Sequence, residues 1–252
     1  MSSRRKPGPK PGPKRAAKSK ARDRISLLEV DGGTLPLRTR RDSRARRMTL
    51  RIDASNDCVV LVLPSRVPLI EGLNFARSKA DWLKDKLAEL PPRALFADGT
   101  VLRVHGRTIT IRHEPALGAR IIESDGVLRI GGEAALLRGR VNRWLREAAR
   151  KVIAERVAHH AERLGKRYRR ISLRDPRTRW GSCTTSGNLS FSWRLILAPP
   201  EVLDYVVCHE VAHLAEMNHG PRFWKLVERL APHTEAARRW LSNHGTALLR
   251  QG

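Results

Sequence analysis

Short runs of apolar and β-branched residues, separated by turn residues, fill the chain from about residue 24 to residue 132. The runs RISLLEV, MTLRI and CVVLVLP predict three strands. The run VLRVHGRTITIRH alternates with a period of two on both sides of Gly106 and predicts a hairpin, and a second hairpin is predicted around Ser124-Asp125-Gly126. One helix is predicted over residues 71–90, and it is expected to end there because Pro91 follows directly.

The apolar period becomes helical from about residue 133 onward. Apolar residues recur every three or four positions over residues 134–164, which predicts a long amphipathic helix. Three further elements are predicted after it: a strand over residues 170–174, a loop over residues 179–183 and a strand over residues 188–197. A last helix is predicted to begin at Pro200 and to continue to Met217, where the apolar run ends.

The change of period predicts an α+β fold, with a β-rich region over residues 24–132 packed on a helical region over residues 133–252. We expect residues 24–245 to form one compact unit. Residues 1–23 are rich in Pro, Gly, Lys and Arg and contain the repeat KPGPKPGPK. Such a segment has no apolar periodicity to offset its ordering entropy, so it is predicted to be a disordered basic tail.

The charge is strongly positive. Fifty Lys and Arg against 25 Asp and Glu give a formal net charge of +25. This surplus favours contact with polyanions, and non-specific nucleic-acid contact is predicted through residues 1–24 and through the arginine-rich stretch from Arg38 to Arg51. The alternatives are a solubilising tail and a solvated sheet face.

The remaining composition predicts a cytoplasmic protein without a membrane partner. No run of about 18 apolar residues exists, and the N-terminus lacks the apolar core of a secretory signal. The three cysteines are widely spaced and odd in number, which favours free thiols. Cys208 is expected to act as a small buried apolar residue, whereas His159, His160 and His233 are expected to be solvated or capping histidines.

The stretch HEVAHLAEMNH begins at His209 and carries the chemistry of the chain. The predicted helix is apolar nearly all the way round, so it is predicted to be buried, and a buried Glu210 between two histidines requires compensation. His209 and His213 are separated by one helical turn, so both imidazoles leave the same face and can bind one zinc ion. Glu210 can act as the general base and acid on a metal-activated water.

A third ligand is predicted just after the helix. Asn218 and Gly220 predict a turn that brings His219 back to the metal, which leaves a fourth coordination position open, as in catalytic zinc sites. Glu216 is the rival third ligand, because it lies seven residues after His209 and three after His213. The spacing of His219 matches that of metzincins, but Glu216 replaces their glycine and no Met-turn is recognisable.

Three ordered segments resemble the YgjP-like metal-dependent hydrolase and metallopeptidase family, a relative of the SprT-like zincins. They are RWGSC from Arg179, the strand segment ending at Leu195, and DYVVCHEVAHLAEMNHGPRFW from Asp204. The resemblance covers about residues 171–232. It implies a zincin-like fold, His209, His213 and His219 as metal ligands, and Glu210 as catalytic acid and base.

The chain departs from the family pattern at two positions. Ser192 stands where the family has Asn, and Val211 stands where it has Leu. Ser192 is nevertheless a candidate contact to the substrate or the transition state. Three further residues share this prediction: Arg179, Ser182 and Tyr205. For Arg179 and Tyr205 the alternatives are a structural ion pair and core packing, respectively.

The sequence therefore predicts a zinc-dependent hydrolase, most simply of peptide bonds, whose peptide substrate pairs with an edge strand over residues 188–193. A second hypothesis is a metal-dependent nucleoside triphosphate pyrophosphatase, an activity that the YgjP resemblance also implies. A third is a DNA-associated protein that cleaves DNA-bound proteins, by analogy with the SprT-like relatives.

Overall fold

The computed structural model describes residues 25–176 and 179–252, so the predicted tail lies outside the described residues. The described chain contains six α-helices and three β-sheets and is a mixed α+β structure. Two compact units divide it: one comprises the residues up to Arg51 with Cys58–Ala80, and the other comprises Ile52–Asp57 with Asp81–Gly252. No helix among the described residues is long and apolar enough to cross a membrane.

The first unit is built on a four-stranded sheet. Its strands, in spatial order, are β1 (Ile25–Val30), β2 (Gly33–Asp42), β4 (Cys58–Pro64) and β3 (Thr49–Asp53). β1 and β2 form an antiparallel hairpin, whereas β2 and β4 are parallel. Helix α1 (Leu69–Arg77) lies so close to β4 that a Cβ on Gly72 would approach Leu63 Cδ2 to 2.4 Å. Only glycine allows this packing distance.

Two predictions for this part of the chain were wrong. Residues 71–90 form two helices, α1 and α2 (Ala80–Ala88), instead of one. The break follows Arg77, where the Ser78 hydroxyl donates a hydrogen bond to the carbonyl of Phe75 and competes with helix continuation. Strand β2 was missed because its charged second half, LRTRRD, hides the alternation.

The arginine-rich stretch does not form one alternating strand. It covers the end of β2, a turn and the start of β3. Arg38 is buried, and the Arg41 guanidinium donates hydrogen bonds to the carbonyls of Pro64, Ser65 and Val67. These two arginines therefore have roles within the unit itself.

The second unit opens with another four-stranded sheet. Its strands, in spatial order, are β5 (Val101–Val104), β6 (Arg107–His113), β8 (Val127–Ile130) and β7 (Ile121–Ser124). Both predicted hairpins are confirmed as antiparallel pairs. The first turns through His105 and Gly106, which both have positive φ, as tight hairpin turns require.

Helix α3 (Ala134–Arg163) confirms the long amphipathic helix and supplies one wall of the core. Its buried side chains follow the predicted helical spacing: Leu137, Val141, Leu145, Ala149, Ile153 and Val157. Each fully buried aliphatic side chain contributes roughly 1.5–3 kcal/mol relative to exposure. α3 contacts the helix that carries the histidines and the 3-10 helix that precedes it.

A three-stranded sheet lies between α3 and the histidine-bearing helix in the sequence. β9 (Arg170–Arg174) confirms the predicted strand, and β11 (Asn188–Ser192) confirms the first half of the next one, whereas residues 193–197 form a 3-10 helix. The predicted loop contains a short strand, β10 (Gly181–Cys183). The spatial order is β10-β11-β9, so β10 is an edge strand and β11 is central.

Candidate metal centre

Helix α4 (Pro200–Ala212) carries the first two histidines through the core. Pro199 and Pro200 begin it, Glu201 lies in its first turn, and nearly every later residue is buried, as predicted. It ends earlier than predicted. His213 is the C-cap, and the amides of Leu214 and Ala215 donate to the carbonyls of Val211 and Ala212, which tightens the chain into successive turns.

These turns bring His219 back to the helix. Nε2 of His219 lies 3.0 Å from Nε2 of His209. The ring centroids of His213 and His219 are 4.7 Å apart, and those of His209 and His213 are 5.1 Å apart. One ring nitrogen of each of these three histidines lies within 4.8 Å of the corresponding nitrogens of the other two. Three imidazole donors therefore converge on one point.

His213 is oriented by a backbone hydrogen bond. Its Nδ1–H donates to the carbonyl oxygen of Glu216 over 3.0 Å. This bond fixes the tautomer and leaves the Nε2 lone pair free for a cation, as is usual for histidine ligands. Glu216 contributes this carbonyl, and its carboxylate is not part of the converging set. The geometry supports His219 over the rival.

Aromatic rings enclose the three imidazoles. Phe223 of helix α5 (Pro221–Leu230) stacks on His213 with centroids 4.5 Å apart and contacts His209 and His219 edge-on. Trp224 lies farther out, with its centroid 5.9 Å from both of those rings. The enclosure excludes water from one side of the site and raises the cost of any unpaired charge within it.

The donor set fits a divalent metal. Burial, together with the neighbouring His213 and His219, lowers the pKa of His209 to about 4, and burial lowers the pKa of His213 as well. These two imidazoles are therefore neutral near pH 7 and present lone pairs, which is the ligating form. Two nitrogens 3.0 Å apart cannot both point lone pairs at each other without a proton or a cation between them.

Glu210 lies on the same helix and is almost fully buried, with 6% exposure. Burial raises the pKa of its carboxyl to about 7, and Arg179 opposes this rise. The edge strand β10 approaches it closely: a Cβ on Gly181 would lie 2.5 Å from Cγ and 2.6 Å from Oε1 of Glu210. Gly181 therefore gives the carboxylate its space. A carboxyl that titrates near neutral pH is suited to moving protons.

The four residues predicted to contact the substrate lie in different surroundings in the structure. Arg179 and Ser182 line a cleft of about 500 Å³ that lies over the three-stranded sheet, because residues of β9 and β11 line it as well. Tyr205 packs edge-on to His209 with centroids 6.0 Å apart, and burial raises the pKa of its hydroxyl. Ser192 is fully buried, and its hydroxyl accepts a hydrogen bond from the amide of Arg194 at the start of the 3-10 helix. Ser190, two residues earlier, lines the cleft instead.

Comparison with known proteins identifies the family. The model of the YgjP-like family, described as a metallopeptidase domain, matches residues 46–244 of the chain. The chain belongs to the YgjP-like family. The match confirms the resemblance found in the three sequence segments, and it makes the protein a metallopeptidase-type hydrolase for which a metal ion, usually zinc, is implied.

The other comparisons add little. The crystal structure of the metallopeptidase zymogen of Pyrococcus abyssi abylysin is similar to part of this YgjP-like chain, with 19% identity and a TM-score of 0.34. The similarity covers 36% of this chain and 93% of that one. No curated protein matches the sequence.

Sequence reasoning missed two contributions to the site. Gly181 lies in the predicted loop over residues 179–183, and its contact with Glu210 was not predicted. The stacking of Phe223 on His213 was not predicted either. No local signal could reveal either role, because both depend on contacts between separate segments of the chain.

Proposed function

We propose that the protein is a zinc-dependent peptidase with a zincin-like catalytic region, in which His209, His213 and His219 hold the metal and Glu210 is the general base and acid. The observation that carries this proposal is that three imidazole nitrogens lie within 4.8 Å of one another, and that His209, one of the three, adjoins the buried Glu210 in α4. Three ligands leave a fourth position open, which distinguishes a catalytic zinc site from a structural one.

Each residue has a defined task in peptide hydrolysis. When bound, the zinc ion supplies a Lewis acid that polarises the substrate carbonyl and acidifies water. Glu210 accepts the proton of the attacking water and then donates it to the leaving amine. Burial raises its pKa to about 7 in the metal-free chain, and a cation bound beside it would lower this pKa, which favours the carboxylate form that accepts the proton. Arg179 supplies positive charge beside developing negative charge on the substrate.

Strand β10 is the proposed docking edge for an extended peptide. The predicted edge, residues 188–193, does not fit this role, because β11 is paired on both sides. Within the part of the chain that the structure describes, β10 is paired with β11 alone, and it borders Glu210 through Gly181. A peptide that adds to β10 by main-chain hydrogen bonds would lie beside Gly181, next to the cleft lined by Arg179 and Ser182.

The test is peptide hydrolysis by the zinc-loaded protein and by Glu210→Gln. The variant keeps the size of the side chain but cannot accept a proton, so we expect unchanged zinc content and a loss of turnover by at least about 100-fold. Glu216→Gln is the matched control, because only the backbone carbonyl of Glu216 contacts the site. Undiminished hydrolysis by Glu210→Gln contradicts the assignment.

The same assay separates the nucleotide hypothesis. Two arginines line the cleft, Arg174 and Arg179, and they would also suit a triphosphate. Nucleoside triphosphates are therefore tested beside denatured protein substrates with zinc, manganese or magnesium. Release of pyrophosphate with no peptide cleavage would replace the peptidase proposal with the pyrophosphatase.

A further inference from the structure

A second cluster of potential metal ligands surrounds Asp204. His160 of α3 donates from Nε2 to Asp204 Oδ1 over 2.8 Å. On the other carboxylate oxygen, Nε2 of His233 lies 3.4 Å away and the Cys208 thiol lies 3.9 Å away. Donor atoms of His160, Asp204 and Cys208 all lie within 4.8 Å of one another. One nitrogen, a carboxylate and a sulfur thus converge from α3 and α4, and His233 approaches the same carboxylate from outside this set.

The cluster is buried and only partly satisfied by hydrogen bonds. His160 is 2% exposed and Cys208 is fully buried, so the sequence-based expectation of a solvated or capping His160 was wrong. Among the described residues, His160 Nδ1 and His233 Nε2 are buried and have no hydrogen-bond partner. His233 Nε2 is close to the carboxylate but not in hydrogen-bond geometry with it. His160 faces Asp204 with Nε2, so its Nδ1 points away from the cluster, and His233 Nε2 is the buried nitrogen that a metal beside Asp204 would satisfy.

Helix geometry keeps this cluster apart from the three-histidine centre. Asp204 and Cys208 are one turn apart, as are His209 and His213, so α4 carries two ligand pairs of the same spacing. At 3.6 residues per turn the two pairs point about 140° apart around the helix axis. One pair faces Phe223 and His219, and the other faces α3 and the residue before α6 (Thr234–Leu249).

The donor spacing approaches that of a tetrahedral zinc site around Asp204 Oδ2 alone, because His160 contacts the other carboxylate oxygen and His233 lies outside the set of donors within 4.8 Å of one another. Zinc bond lengths place nitrogen and oxygen donors roughly 3.3 Å apart, and sulfur and oxygen donors roughly 3.6 Å apart. The distances from Asp204 Oδ2 to His233 and Cys208, 3.4 and 3.9 Å, are close to these values. The His160–Asp204 contact, at 2.8 Å, is a hydrogen bond and must lengthen by about 0.5 Å to admit a metal.

We propose that His160, Asp204 and Cys208, completed by a movement of His233 toward Asp204, form a second, structural site for a zinc-type divalent metal on the far side of α4. Four protein ligands close the coordination shell, so this site holds no position for a substrate. Binding releases the thiol proton of Cys208 to solvent, and the thiolate selects zinc-like metals over magnesium or calcium. The ion joins α3, α4 and the start of α6 behind the catalytic helix.

Arg156 is the main group that opposes a cation here. Its guanidinium lies 3.9 Å from Asp204 Oδ1. The side chain is 41% exposed, so it can turn toward solvent when a metal binds. Without a metal, the same residues form a His–Asp–His network with a buried thiol. The alternative to a metal site is that hydrogen bonds and ion pairs within this network join the helices without a metal. The two alternatives differ in whether Cys208 binds a metal ion.

Cobalt(II) loading of the full-length protein separates them. Thiolate bound to cobalt gives a ligand-to-metal charge-transfer band in the near ultraviolet, whereas the three-histidine centre contains no thiolate. We expect the metal-stripped wild type to take up two equivalents of cobalt and to show this band. A missing band, at one or at two equivalents, overturns the proposal, whereas one equivalent with the band would keep this site and contradict the three-histidine centre.

Serine variants assign the sulfur. Cys208→Ser is expected to bind one equivalent and to lose the band, with the three-histidine site still loaded. The matched controls are Cys58→Ser and Cys183→Ser, which remove the other thiols and are expected to keep two equivalents and the band. A band that persists in Cys208→Ser contradicts the site. Circular dichroism confirms folding, and the wild-type spectrum alone decides the question if a variant fails to fold.

Discussion

Gly181 gives the sharpest test of how the site is built, because its missing side chain makes room for Glu210. In Gly181→Ala the new Cβ would lie 2.5 Å from Glu210 Cγ, whereas ordinary van der Waals contact begins at 3.4 Å, so β10 or the carboxylate must move by about 3.4 − 2.5 = 0.9 Å. Glu210 is buried and adjoins a paired strand, so both have little freedom to move.

A displacement of this size is large for catalysis. A misplacement of about 1 Å can reduce the rate about 100-fold, which corresponds to about 3 kcal/mol of transition-state stabilisation. The overpacking itself is expected to lower the free energy of unfolding by about 1–3 kcal/mol. We therefore expect kcat/KM for peptide hydrolysis to fall about 100-fold in Gly181→Ala, with zinc content unchanged because the three histidines are not displaced.

The assay measures kcat/KM, zinc content and thermal unfolding of Gly181→Ala beside Gly139→Ala. Gly139 lies within α3, and a Cβ there would meet nothing within 4 Å, so this control should keep full activity. The double variant Gly181→Ala/Glu210→Gln should be no slower than Glu210→Gln alone, because both changes act on one carboxylate. Wild-type kcat/KM in Gly181→Ala, or additive losses in the double variant, would refute the reasoning.

Three further predictions concern the carboxyl, the third ligand and the tail. Between pH 4.5 and about 7 only the unfolded chain has released the Glu210 proton, so the free energy of unfolding of metal-free protein falls as pH rises through this window. One pKa unit corresponds to about 1.4 kcal/mol. In chelator-treated protein, Glu210→Gln should therefore raise the free energy of unfolding by roughly 3 kcal/mol above this window and by little below pH 4.5. Thermal unfolding that shows the same increase in stability at both pH values would contradict this. His219→Ala should weaken zinc binding by more than the roughly 10–100-fold typical of supporting residues, whereas Glu216→Ala should keep wild-type affinity in a chelator competition, and the reverse ranking would make Glu216 the ligand. DNA binding by the full chain should weaken steeply with salt and decrease when residues 1–24 are removed; a flat salt response would exclude the DNA-associated hypothesis.

The sequence by itself determined the parts of the site that lie within one helix. His209 and His213 converge because one helical turn separates them, and any helix over this segment places both imidazoles on one face. The buried character of Glu210 was also predictable, because the surrounding residues are apolar on every side. The hairpin strands and α3 were confirmed for the same reason: their periodicity is a local property of the chain.

Only the tertiary structure decided which separate segments meet. Strand order cannot be derived from local alternation, so the edge strand was assigned to residues 188–193 although β11 is central and β10 is the edge. The approach of Gly181 to Glu210 and the bond between His160 and Asp204, 44 residues apart, depend on packing between elements. Local spacing is set by backbone geometry, whereas these contacts are set by how sheets and helices pack around one core.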